Sequence, residues 1–82
     1  MILVDIYIPE LDRSYDFSLQ EQAPVSALVE ELAEIVCQKE RWEKGQDASG
    51  LLLVAPEHSI VFAPGDTLQG RGVTSGSRLM LL

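Results

Sequence analysis

The sequence predicts a two-layer α+β domain in which one helix lies across one face of a mixed sheet of four or five strands. Three observations carry that prediction. Residues 24–36, Pro-Val-Ser-Ala-Leu-Val-Glu-Glu-Leu-Ala-Glu-Ile-Val, place apolar side chains at three- and four-residue steps. The segments on both sides alternate with period two instead. Clusters of Pro, Gly, Asp and Ser punctuate those segments. A period near 3.6 makes one apolar stripe on a helix, and a period of two makes one apolar face on a strand. The resulting order is strand, strand, helix, strand, strand, strand, within one domain spanning residues 1–82.

Each element has its own justification. Ile2, Val4, Ile6 and Ile8 alternate with Leu3, Asp5 and Tyr7, giving a strand with one fully apolar face. Pro9 ends it, and Glu10-Leu11-Asp12-Arg13-Ser14 forms a polar turn. Tyr15, Phe17 and Leu19 alternate in a second strand, and the short turn makes the pair an antiparallel hairpin. Pro24 suits a first helical turn, where its missing N–H would be unpaired anyway. Val25, Leu28, Val29, Leu32, Ile35 and Val36 form the stripe, with Glu30, Glu31 and Glu34 turned away from it. The glutamates lie toward the amino half, and Lys39, Arg41 and Lys44 toward the carboxyl end, an order that suits the helix dipole. Gly45 is the expected stop, as a left-handed residue just past the helix. Trp42, seven residues after Ile35, reads as a lid on the end of the core.

After the loop of residues 46–50, residues 51–55 (Leu-Leu-Leu-Val-Ala) form a strand that is apolar on both faces. Residues 56–59 turn, and Ile60-Val61-Phe62 is a short strand. Residues 67–73 hold the hydrophobic pair Leu68 and Val73 in a loop or single helical turn. Residues 78–82, Arg-Leu-Met-Leu-Leu, form the last strand. A helix following an antiparallel hairpin can cross over and bring the chain back parallel to the first strand.

Composition narrows the function. The chain is 46% hydrophobic and 23% charged, a globular balance. Its net charge of -7 and pI near 4.4 argue against nucleic acid or an anionic membrane as the main partner. The single cysteine, Cys37, excludes an intrachain disulfide and a multi-cysteine metal site. Asp5 interrupts the first apolar run before a signal peptide can form. The run 51–55 is far short of the roughly 20 residues of a membrane helix.

No catalytic constellation stands out. His58, the only histidine, falls in a turn beside Ser59, where adjacent side chains rarely align as nucleophile and base. Glu30 and Glu34 are neighbours on a solvated helix face. Gly70-Arg71-Gly72 is too short for a phosphate loop. The sequence therefore predicts no enzyme, no cofactor, no metal and no small-molecule substrate. It predicts an interaction surface. With the even positions of the first strand facing the helix, Leu3 and Tyr7 face outward. With Leu52 and Val54 inward, Leu53 is outward. With Leu79 and Leu81 inward, Met80 and Leu82 are outward. Leu3, Tyr7, Leu53, Met80 and Leu82 would then form one exposed apolar patch for a protein partner or for self-association.

The layout resembles ubiquitin over nearly the whole chain: the helix from Pro24 through Leu32, residues 52–55, Thr67-Leu68, Val73, and the final Arg78-Leu-Met-Leu. That resemblance implies a β-grasp fold. The chain stops at Leu82 with no terminal Gly-Gly, so a role in conjugation or sulfur transfer is not expected. The sequence more specifically resembles the small bacterial ubiquitin-like proteins of the YukD/EsaB family. The resemblance is carried by the first strand Met1 to Ile8, the helix start Pro24-Val25 with Leu28-Val29, and the ending Leu68, Gly72-Val73-Thr74-Ser75-Gly76-Ser77-Arg78-Leu79. It implies an accessory or regulatory component of a type VII (WXG100) secretion system that works in the cytoplasm by protein contact with other secretion components. Two alternatives stay open: an excised cytosolic domain of an EccD-like membrane component, and a sulfur carrier or modifier with a trimmed tail.

Overall fold

A computed structural model describes residues 1–82, apart from the side chain of Ser49. Its elements are β1 (Ile2–Ile8), β2 (Arg13–Leu19), α1 (Val25–Lys39), β3 (Leu53–Ala55), β4 (Ile60–Val61) and β5 (Arg78–Leu81), with short 3-10 turns at Lys44–Gln46, Ala48–Gly50 and Pro56–His58. The five strands form one sheet in the order β2-β1-β5-β3-β4. β1 and β2 pair antiparallel over the full length of both strands. The parallel neighbour of β1 is β5, the last strand, and not the strand that follows the helix. β3 enters antiparallel on the far side of β5. The central strand thus arrives last and joins two halves made earlier in the chain.

One core lies between sheet and helix. Val4, Ile6 and Ile8 of β1 and Leu79 and Leu81 of β5 are essentially sealed from solvent. They meet Val25, Leu28, Val29, Leu32 and Val36 of α1. Ile35, at one edge of the stripe, is only half-buried, while Ala33, at the opposite edge, is buried.

Both helix ends are decided by tertiary contacts. The first turn of α1 carries no acidic residue, and Pro24 supplies no side-chain cap. The loop after β4 serves instead. Val25 N–H donates to the Asp66 carbonyl at 2.8 Å and Ser26 N–H to the Pro64 carbonyl at 3.0 Å. These bonds satisfy two of the donors that every helix start leaves without a partner. At the other end, Gly45 is not the stop. The helix ends at Lys39, and Glu40 turns to extended backbone while its N–H still bonds the Val36 carbonyl at 2.8 Å. Glu40 Oε1 accepts from the Tyr15 hydroxyl at 2.9 Å and lies 3.3 Å from Arg13 Nε, which draws the chain toward β2. Trp42 then folds back as a lid, 2% exposed, with its indole N–H donating to Glu10 Oε2 at 3.3 Å. The lid expected for Trp42 is present, but it lies outside the helix. Gly45 is glycine for lack of room. A Cβ there would overlap the Trp42 ring and come within 2.9 Å of Cys37 Sγ.

One face assignment is corrected. Leu53 is buried, 1% exposed, and Leu52 is the outward residue, 51% exposed. The reason is register. Leu53 lies opposite Leu81 and Val54 opposite Met80. Partners directly opposite across a ladder share a face, so the inward Leu81 fixes Leu53 inward. A run apolar on both faces carries no parity of its own.

Candidate interaction surface

The face of the sheet turned away from α1 carries the outward positions of all five strands. β1 contributes Leu3, Asp5 and Tyr7, and β2 contributes Ser14, Asp16 and Ser18, in register with them. β5 contributes Arg78 and Met80, β3 contributes Val54 and β4 contributes Val61. Leu52 and Leu82, just outside β3 and β5, exchange backbone hydrogen bonds at 2.9 and 2.8 Å. They extend the ladder by one pair.

Register sorts these side chains into rows. Tyr7 is opposite Met80, Met80 opposite Val54, and Val54 opposite Val61. That continuous apolar row spans four strands. Leu52 and Leu82 form a second row beside it. Val61 is 61% exposed and Leu82 38%. On the other side of the row lies a polar one, in which Asp16 is opposite Asp5 and Asp5 opposite Arg78. Leu3 lies beyond it, exposed but cut off from the apolar rows by the Asp5–Arg78 pair, whose Nε to Oδ2 distance is 3.3 Å. Of the predicted patch, Tyr7, Met80 and Leu82 are brought together, Leu3 stands apart, and Leu53 belongs to the core. Sequence reasoning missed Leu52, Val54 and Val61. For Val61 the signal was present, since Ile60 and Phe62 on either side of it are the inward pair. For Leu52 and Val54 it lay only in the pairing with β5.

A hollow of about 320 Å³ opens where the polar and apolar rows meet, lined by Asp5, Tyr7, Ser14, Pro56, Arg78 and Met80. The Tyr7 hydroxyl donates to Asp12 Oδ1 at 2.9 Å, and this bond to a carboxylate raises the phenol pKa above its ordinary 10.0. The Arg78 backbone N–H donates to Glu57 Oε1 at 3.0 Å. A second, apolar groove of about 370 Å³ runs between the start of α1 and the β3–β4 side of the sheet, over Val25, Val29, Leu51 and Phe62.

The remaining candidate groups are scattered. His58 is exposed in the turn Pro56–His58. Cys37 is half-buried, and its thiol donates to the Trp42 carbonyl at 3.5 Å, a packing contact. Among the described residues, no three His, Cys, Asp or Glu side chains are grouped to hold a metal, and no helix is long and apolar enough to cross a membrane. What this arrangement offers chemically is an apolar surface with a charged margin.

Comparison with known proteins agrees with this architecture. Among solved structures, the chain is similar to the N-terminal ubiquitin-like domain of the 4931431F19Rik protein, with a TM-score of 0.75 and 20% identity, covering 99% of this chain and 72% of that one. A computationally designed protein based on human erythrocytic ubiquitin matches with a TM-score of 0.75 and 22% identity, covering 100% of this chain and 90% of that one. The ATBAG1 structure solved in complex with HSP70 matches with a TM-score of 0.70 and 17% identity, covering 100% of this chain but 40% of that one. Identities this low speak for the fold alone, a ubiquitin-like β-grasp. A comparison with curated proteins finds no match. The family model described as "WXG100 protein secretion system (Wss), protein YukD" matches residues 3–81. Nearly the whole chain is thereby accounted for, and the protein belongs to the YukD family of ubiquitin-like proteins associated with WXG100 secretion.

Proposed function

We propose that this protein is a non-enzymatic adaptor of a type VII (WXG100) secretion system, working in the cytoplasm by contact with other components of that system and without covalent attachment to them. The observation that carries the reading is the outer face of the sheet. Tyr7, Met80, Val54 and Val61 form an unbroken apolar row in register, and Leu52 and Leu82 widen it. Single exposed apolar side chains are ordinary on a monomer, but a contiguous patch marks a contact surface. Membership in the YukD family supports the secretion setting.

The test is export of a WXG100 substrate from cells lacking the gene, complemented with wild type, Leu52→Asp or Val61→Asp. Both positions are more than half exposed, so the variants should fold, as circular dichroism would verify. The expected result is restored export with wild type and little restoration with either variant. Export that is unaffected by deletion, or fully restored by both variants, would sink the proposal. So would a higher-mass conjugate of the chain that accumulates in step with export.

A further inference from the structure

The outer face also indicates what kind of partner it takes, on the reading that this face is the contact surface. The apolar row Tyr7–Met80–Val54–Val61 is bordered along one side by Asp16, Asp5 and Arg78 in consecutive register. Asp5 and Asp16 are directly opposite each other, an arrangement of like charges that costs a sheet stability. Arg78 relieves half of it. Its Nε reaches Asp5 Oδ2 at 3.3 Å, and Asp16 has no partner among the described residues. Among the described residues, Arg78 is the one cation on the outward strand positions, since Arg13 points to the other face and lies against Glu40. Its backbone N–H is taken by a further carboxylate, Glu57. The hollow beside this row is lined by Asp5, Tyr7, Ser14, Pro56, Met80 and Arg78 itself, so the carboxylate within it is already paired and the uncompensated one of the row is Asp16. An uncompensated carboxylate at the margin of an apolar row suits a lysine or arginine side chain.

We infer that the occupant of the outer face is a protein segment that sets apolar side chains on the Tyr7–Met80–Val54–Val61 row and a lysine or arginine at its polar margin, beside Asp16. The chain's net charge of -7 acts in the same sense at longer range, drawing a basic partner in and repelling a second copy of itself. A second copy would also bring its own Asp5 and Asp16. An anionic lipid surface or a nucleic acid is repelled for the same reason.

The isotope-labelled chain, titrated with two short amphipathic peptides and followed by NMR, tests this. The peptides share their leucines and isoleucines and differ only in flanks, lysine and arginine in one, glutamate in the other. The basic peptide is expected to shift the amides of Tyr7, Asp16, Val54, Val61 and Met80, and to bind more weakly as salt is raised. Asp16→Lys, at an exposed position whose side chain has no hydrogen bond or ion pair among the described residues, should weaken it about fivefold with the spectrum of the free chain otherwise preserved. Equal binding of both peptides on this face would overturn the charge inference and leave the surface reading standing. Shifts confined to other faces would overturn both. Concentration-dependent shifts of the same amides without any peptide would assign the face to a second copy and also overturn the inference.

Discussion

Leu52 and Leu82 bond each other in both directions, N–H to carbonyl, at 2.9 and 2.8 Å, and this closed pair sets which face of β3 meets the helix. In an antiparallel ladder such residues are directly opposite and share a face. Leu82 points outward, so Leu52 does, and Leu53 falls inward opposite Leu81. The outer apolar face and the core are two consequences of one register.

The first prediction tests that register. Leu53→Ala removes a fully buried side chain and should cost about 2–5 kcal/mol in urea unfolding. Leu52→Ala should stay within about 0.5 kcal/mol of wild type. Comparable losses at both positions, or the reverse order, would show β3 to be paired one residue out of step.

Gly45 gives a second. It is buried, and an added Cβ would overlap the Trp42 ring and crowd Cys37. Gly45→Ala should cost roughly 1–3 kcal/mol, as overpacking does, and change the tryptophan near-ultraviolet signal. Gly50→Ala, where a Cβ meets nothing within 4 Å, should leave both unchanged. A neutral Gly45→Ala would mean that Trp42 does not sit over the end of the core.

The lid has a polar tie that can be cut separately. Glu10→Ala removes the acceptor of the buried Trp42 indole N–H. A lost hydrogen bond of this kind is worth about 1 kcal/mol. Thermal unfolding should show that loss, and tryptophan emission should shift as the indole finds water. Unfolding that matches wild type, with unchanged emission, would mean that the bond does not form in solution.

The two tyrosines titrate for different reasons. Tyr7 is raised first by its hydrogen bond to Asp12, and Tyr15 first by loss of solvent, with Glu40 second. In a spectrophotometric alkaline titration, Asp12→Asn should lower the Tyr7 transition more than Glu40→Gln lowers that of Tyr15. The sign for stability follows from linkage. A folded-state pKa above the unfolded value gives a contribution fully present below about pH 10 and lost as pH rises through the folded value. Stability of the wild type should therefore fall above pH 10 more steeply than that of Asp12→Asn. Equal slopes would show the Tyr7–Asp12 bond to be broken in solution.

Much of this was legible in the residues themselves. The stripe of Val25, Leu28, Val29, Leu32 and Val36 announced the helix, because a rod must hide its apolar side and only one spacing puts these residues on that side. The alternation of Ile2 to Ile8 fixed the parity of β1 and hence Tyr7 on the outer face. The same alternation placed Met80 outward beside the buried Leu79 and Leu81. Of the outward apolar rows, the sequence alone reached Tyr7, Met80 and Leu82.

The rest depended on partners distant along the chain. Residues 51–55 are apolar at every position, so their parity came from pairing with β5 nearly thirty residues later. Leu3 was separated from the apolar rows by an ion pair between residues 5 and 78, a contact with no local signature. The helix stopped at Lys39 rather than Gly45 because Glu40 is held by Tyr15 and Arg13 and because Trp42 must cover the end of the core. The sequence by itself determined where helix and strands form, since periodicity is a local property of one face. Only the tertiary structure decided register, helix ends and the shape of the outer face, because each is a choice between nearly equal local options settled by a contact from elsewhere in the chain.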